Sequence, residues 1–423
     1  MMMLKSKLPW ASQLTALLVC LSCSTGAWAE TLFINDATVH TMSSQAVIQA
    51  GDILIRDGRI QSVGTALKPP ADARVIEAGG RPVTPGFFAG ITELGLVEIS
   101  AVESSVDSGL ATEGLRPEFD ITPAYNPHST AIPVTRIEGY SWSLLGADRS
   151  GSIIGGQGQV VSLDGAYQSF LGNKVLFIDV GADASEQSDG SRAAQWMLLD
   201  QAMNEAGTEV RWAPEPLLTV AGRKALEAYK TGGIVVFNVD RASDILQVIG
   251  FSERHGLNSV ISGGTEAWMV ADELAEAGVP VLINSLNNLP ESFDQLGARL
   301  DNAALLNEAG VTIAFTGAGT HQARRLRQMA GNAVANGLPY EAGLAAMTVS
   351  PAVIFTLGDD HGSLEENSVA DLVIWSGDPL EVTSAADQVI IAGKMVEMVS
   401  RQTLLRDRYL PENPDMPRAY IKP

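Results

Sequence analysis

From residue 216 onward the chain repeats one rhythm: an amphipathic stretch, a glycine, then a short unbroken apolar run. "PLLTVAGRKALEAYKTGGIVVFNV" is followed by "RASDILQVIGFSERHGLNSVIS", "EAWMVADELAEAGVPVLIN" and "SFDQLGARLDNAALLNEAGVTIAF". Apolar residues spaced three and four apart predict helices, and glycines 233, 256, 278 and 310 sit where a left-handed cap would end them. The apolar runs that follow read as strands buried on both faces. Serial units of this kind imply a parallel sheet, and about 280 residues of them suit an eight-stranded (β/α)8 TIM-like barrel. A doubly wound open sheet is the alternative. Earlier strands are expected near 83–89, 140–145, 158–164 and 174–179.

The flanks follow a different pattern. "TLFINDATVHTM" alternates apolar and polar positions, "GDILIRDGRIQSVG" carries an Asp57-Gly58 hairpin signal, and "ARVIEAGGRPV" completes the unit. After the barrel, "GSLEENSVADLVIWSGDPLEVTSAADQVIIAGKMVEM" again reads as strands and turns. A unit this small buries little core alone. The two flanks therefore predict one small composite β-sandwich built from residues 30–83 and 365–410, around a barrel at 84–364 and ahead of a tail at 411–423.

Composition adds the compartment. Lys5 and Lys7, the apolar "LTALLVCLSC" and Ala27-Trp28-Ala29 form a signal-peptide pattern over residues 1–29, which predicts export, most simply to the periplasm. A lipoprotein anchored through Cys23 is the alternative. Both cysteines, Cys20 and Cys23, lie inside this segment, so a chain cut after Ala29 has no disulfide, no thiol chemistry and no cysteine-bound zinc. The formal net charge of −21 becomes −23 when Lys5 and Lys7 leave, which argues against nucleic acid as a partner. No later apolar run is long enough to span a membrane.

The motif order carries a resemblance. "ADLVIWSGDPLE" followed by "VIIAGKMV" resembles the C-terminal signature of the amidohydrolase superfamily, and "INDATVHTM", "GDILIRDGRI" and "PVTPGFF" resemble its N-terminal half in sequence. The stretch from Arg241 to Ile283 resembles the imidazolonepropionase-like branch. The resemblance implies hydrolysis of non-peptide C–N bonds, such as cyclic amides, by one or two divalent metals at the C-terminal mouth of the barrel. It implies ligands from a His-x-His pair, a carboxylated lysine or glutamate, two more histidines and an aspartate. Here the His-x-His pair falls on Ile91 and Glu93, the fifth-strand histidine near Asn238, the sixth-strand histidine around Ser262–Thr265, and the final aspartate on Gly317. "KVLFIDVG" offers no matching lysine, although Asp179 is nearby. Isoleucine and glycine have no donor for a cation, so the resemblance implies a fold without the usual metal site, and no cofactor is expected.

The remaining candidates are polar. Glu93, Asp240 and Glu266 are the leading acid–base residues, with Glu98, Glu103 and Asp107 as further loop acids. Ile91, Asn238, Asn284, Gly317, His128 and His321 are expected to line the mouth, since long barrel loops carry function. His40, His255 and His361 read as structural. "IIGGQGQ" lacks the Lys-Ser/Thr of a phosphate loop and reads as a loop packed under the mouth. No Gly-x-Ser-x-Gly elbow supports a serine hydrolase. Three functions stay open: a degenerate member that binds a small-molecule ligand, a hydrolase with a rearranged carboxylate site, and a subunit that forms a homo-oligomer or pairs with a metal-competent relative.

Overall fold

The computed structural model describes residues 30–409 apart from 46, 112–113, 148–151, 183, 189, 207–215 and 318. The expected signal peptide at 1–29 and the tail at 411–423 lie outside the described residues. The strands are β1 (Leu32–His40), β2 (Val47–Arg56), β3 (Arg59–Thr65), β4 (Arg74–Glu77), β5 (Pro82–Pro85), β6 (Phe87–Thr92), β7 (Tyr140–Leu145) and β8 (Ile154–Ser162). They continue with β9 (Phe170–Asp179), β10 (Ile234–Val239), β11 (Asn258–Gly263), β12 (Val281–Ile283), β13 (Ile313–Phe315), β14 (Leu372–Trp375), β15 (Ala386–Ile391) and β16 (Lys394–Met395).

Strands β6 to β13 form one eight-stranded sheet in chain order. It curls into a nearly closed barrel: across the gap, the Ile91 N–H donates to Thr316 Oγ1 at 3.1 Å and the Glu93 N–H to Thr320 Oγ1 at 2.8 Å. The helix, glycine and strand rhythm is present. The helix Ala242–His255 ends on Gly256 and Ala271–Ala277 on Gly278, both left-handed with φ 65°. After Val220–Lys230, Gly232 rather than Gly233 takes the positive φ, so that cap sits one residue earlier than expected.

One strand breaks the parallel pattern. β8 runs antiparallel to both β7 and β9, while the other neighbours are parallel. The connections, residues 146–153 and 163–169, are too short for a crossover helix, so the chain turns back on itself. "IIGGQGQ" therefore belongs to a strand and not to the expected loop. A Cβ on Gly158 would stand 1.8 Å from the Leu145 carbonyl oxygen, so only glycine lets β7 and β8 approach here.

Both flanks enter a second sheet, ordered β16-β15-β14-β5-β1-β2-β3, with β4 also paired to β1. Val83, Thr84 and Pro85 pair with Ile374, Val373 and Leu372, which joins the two chain ends. The expected sandwich takes the form of one curled sheet: the Ala370 N–H reaches the Gly58 carbonyl and the Ile60 N–H the Ser368 carbonyl, so its far end folds back. Leu32, Ile34, Ile53, Ile55, Leu372 and Ile390 fill the interior. The segment up to 409 ends in a helix, Arg401–Tyr409. Among the described residues no helix is long and apolar enough to cross a membrane.

Barrel and sheet meet on buried side chains. Arg327, 4% exposed, donates to the carbonyls of Pro379, Glu381 and Ser384, with its guanidinium 4.6 Å from the Trp375 ring centre. The Trp375 Nε1–H donates to Thr84 Oγ1 at 2.9 Å. Asp371 is buried at the same seam, with Oδ1 accepting from the Ala392 N–H at 2.7 Å.

Candidate active site at the barrel mouth

The C-terminal ends of the barrel strands surround a cavity of about 470 Å³. Each parallel strand delivers its last side chains to that rim because the register is shared along the sheet. Asn238 stands level with Asp179 on one side and Ser262 on the other. Of the expected residues, Ile91, Glu93, Asn238, Asp240, Asn284 and Gly317 all line the cavity. Thr92, Ser262, Thr265, Asn287, Asp294, Gln295, Thr316 and Thr320 add polar groups, and Val180, Ala147 and Ala182 add an apolar strip.

Three carboxylates face this space, each held differently. Glu93 accepts from the Ser108 hydroxyl at 2.5 Å and, at a longer 3.4 Å, from Thr320 Oγ1. Asp240 accepts from the Thr265 backbone and hydroxyl on Oδ1 and from Gln295 Nε2 on Oδ2. Asp294 is bound by the Ala182 N–H and paired with Arg192, whose other nitrogen pairs with Asp244. Burial works against the Arg192 charge, and the two carboxylates overcome it and hold its pKa above the ordinary arginine value. Burial raises the Asp244 carboxyl, and Arg192 offsets only part of this. The Asn238 amide donates to Asp179 Oδ1 at 2.9 Å.

Other candidates lie elsewhere. Glu266 is buried and accepts from the backbone N–H groups of Ala242 and Gly297, so it holds two loops together and does not line the cavity. His128 is exposed and packs edge-on against Tyr167, and His321 is exposed in the short helix Thr320–Arg325. Neither lines the cavity, because each loop turns its imidazole outward. Glu98, Glu103 and Asp107 are also absent from its wall. His255 lies at the end of its helix, with Nε2 2.7 Å from Asp200.

Asn287, Asp294 and Gln295 were not expected at the mouth. They follow β12 in "NSLNNLPESFDQLG", of which "SFDQLG" reads as the start of a helix pattern. The helix spans only Asn302–Glu308, and the Ser292 hydroxyl accepts from the Asp294 N–H to start a short turn instead. The Ser-x-Asp spacing was the signal available for that turn.

The rim does not fit a divalent metal of the superfamily type. Ile91 and Gly317 bring no donor, the Asn238 amide is turned to Asp179, and Asp240 spends both oxygens on neighbours. Among the described residues no three His, Cys, Asp or Glu side chains are grouped to hold a metal ion.

Similarity to known proteins agrees with the architecture. Residues 251–397 match the model of the Amidohydrolase family. An amidohydrolase from Thermotoga maritima MSB8 superposes with a TM-score of 0.76 at 25% identity, over 86% of this chain and 99% of that one. A putative prolidase from Bifidobacterium longum shares the fold at 20% identity and a TM-score of 0.52, over 90% and 100% of the two chains. The amidohydrolase tasK of Hapsidospora irregularis is 44% identical over 57 residues, 14% of this chain, and the chain spans only 6% of that relative. A barrel flanked by a sheet from both chain ends, a family match running from the barrel into that sheet, and a near-complete structural counterpart lead to one conclusion: this chain belongs to the amidohydrolase superfamily.

Proposed function

We propose that the protein is exported to the periplasm and uses its barrel mouth to bind a small molecule, without the metal-assisted hydrolysis of C–N bonds that its superfamily implies. The observation that carries this reading is the set of groups at the strand ends. The positions where the resemblance asks for metal ligands hold Ile91, Asn238, Ser262 and Gly317, and all four border the cavity. A cavity of this size is within the range that buries a small ligand. The alternative hydrolase with a rearranged carboxylate site is weakened by Glu266, which is committed to two backbone N–H groups, and by Asp240, whose oxygens are both engaged.

The test is metal analysis of the untagged mature protein by mass spectrometry after dialysis against zinc, with a screen of cyclic amides in parallel. The expected result is no stoichiometric metal and no chelator-sensitive turnover. Stoichiometric zinc or manganese with chelator-sensitive hydrolysis overturns the reading. Export is checked by N-terminal sequencing of the periplasmic fraction, which should begin at Glu30.

A further inference from the structure

We infer that this chain pairs with a second copy of itself through the face around the helix Ala131–Arg136, each copy setting a basic helix against an acidic loop of the other. The inference concerns a surface outside the mouth and stands apart from the binding role proposed above.

The helix Arg401–Tyr409 carries the argument. None of its nine residues is buried, and Leu404 and Tyr409 are 61% and 69% exposed. A helix this short is marginal in water unless an apolar face packs against something. The same helix holds Arg401, Arg406 and Arg408 beside one acid, Asp407, which pairs with Arg406. Arg324 and Arg325 are exposed next to it, at the end of the short helix Thr320–Arg325, where Arg324 donates to Gln402 Oε1 at 3.1 Å. Among the described residues Arg324, Arg325, Arg401 and Arg408 enter no ion pair. Arginines thus gather, largely unneutralised, on a chain of net charge −21. Lying beside exposed leucines, they call for an occupant that is both acidic and apolar.

The chain carries such a surface close by. The loop after β6 exposes Ile99, Val102 and Leu110 among the acids Glu103 and Asp107, with Glu98 at its start. Glu98 accepts from Thr130 Oγ1 at 3.3 Å, at the entry to the helix Ala131–Arg136. That helix packs against both Thr320–Arg325 and Arg401–Tyr409 and leaves Ala131, Pro133 and Val134 half-buried. Acids, a half-buried apolar centre and arginines therefore neighbour one another. A twofold axis through such a face lays each copy's loop on the other's helix, so the match is made twice. Other occupants match less well. Residues 410–423 hold two acids and two bases, with no surplus of negative charge. An anionic membrane attracts the arginines and repels the acidic loop beside them. Pairing also reaches the mouth, because Ser108 of the same loop donates to Glu93.

The experiment measures the mass of the chain from Glu30 to Pro423 by light scattering over a dilution series. Two copies are expected. Arg325→Glu with Arg401→Glu should weaken the pair at least about tenfold, and so should Glu103→Lys with Asp107→Lys, since each sets like charges together at both contacts. Mixing the two variants should restore the pair, because every contact in the mixed pair joins opposite charges. Circular dichroism confirms that each variant is folded. A wild-type monomer overturns the inference, as does a dimer that neither variant weakens or a mixture of folded variants that fails to pair. A chain ending at Tyr409 that pairs where the full chain does not assigns the helix to residues 410–423 and overturns it. Binding to phosphatidylglycerol vesicles without pairing in solution assigns the helix to a membrane and overturns it as well.

Discussion

Asp371 offers a stability test with a definite sign. Its carboxyl is 7% exposed at the seam between barrel and sheet, and its pKa is pushed from 3.8 up to about 6. Burial is the main cause. The Ala392 N–H and the Ser141 hydroxyl pull the other way, and the negative charge of Asp164 adds to the rise. A carboxyl with a raised folded pKa favours the folded state when protonated. Its contribution is complete below pH 3.8 and is lost as the pH climbs through 6. A shift of about two units at about 1.4 kcal/mol each makes the ionised group cost about 3 kcal/mol at pH 7.5. Roughly half of that loss falls between pH 5 and 7.5. Asp371→Asn keeps an oxygen for the Ala392 N–H and cannot ionise. Urea denaturation of both proteins from pH 5 to 7.5 should show the variant's advantage growing by about 1.5 kcal/mol across that range. A difference that stays flat with pH would refute the assignment of the buried charge to Asp371.

Three further outcomes follow from the mouth. Ile91→His should cost about 1–2 kcal/mol in urea denaturation, because a polar ring replaces an apolar group packed beside Gly146. It should recruit no zinc while Asn238 and Gly317 remain, which metal analysis of the same protein checks. Glu266→Ala leaves the N–H groups of Ala242 and Gly297 without their acceptor and should cost about 2–3 kcal/mol by the same denaturation assay. Arg192→Met strands Asp244 and Asp294 with like charge and should destabilise by about 2 kcal/mol, less than a fully buried pair because Arg192 is 29% exposed. Lowering the pH to 4 should recover part of that loss, and no recovery would argue against carboxylate repulsion.

The legible residues and the hidden ones divide by where they sit. Ile91, Asn238, Asn284 and Gly317 were readable because each closes an apolar strand, and a barrel sends strand ends to one rim. Nothing in the periodicity says which way a loop turns. His128 and His321 were therefore expected inside and lie outside, while Asp294 and Gln295 were read as helix and lie inside. Glu266 follows its strand as expected but turns back to bind backbone. The reversal of β8 was hidden for a related reason: an apolar run specifies a strand without specifying its direction. Only the short connections on either side encode that.

The pairing of β5 with β14 also fixes an order of events during synthesis. Thr84 and Trp375 touch through a hydrogen bond spanning 291 positions, so the small sheet lacks the three strands beyond β5 until nearly the whole barrel has emerged. Until then β5 presents an unpaired edge, the kind of surface that recruits other chains. The barrel's own neighbours are mostly consecutive and close over shorter separations. A ribosome stalled before residue 372 should thus carry a folded or partly folded barrel and an unfinished, aggregation-prone sheet. Truncation at that point would be more damaging than the few missing strands suggest.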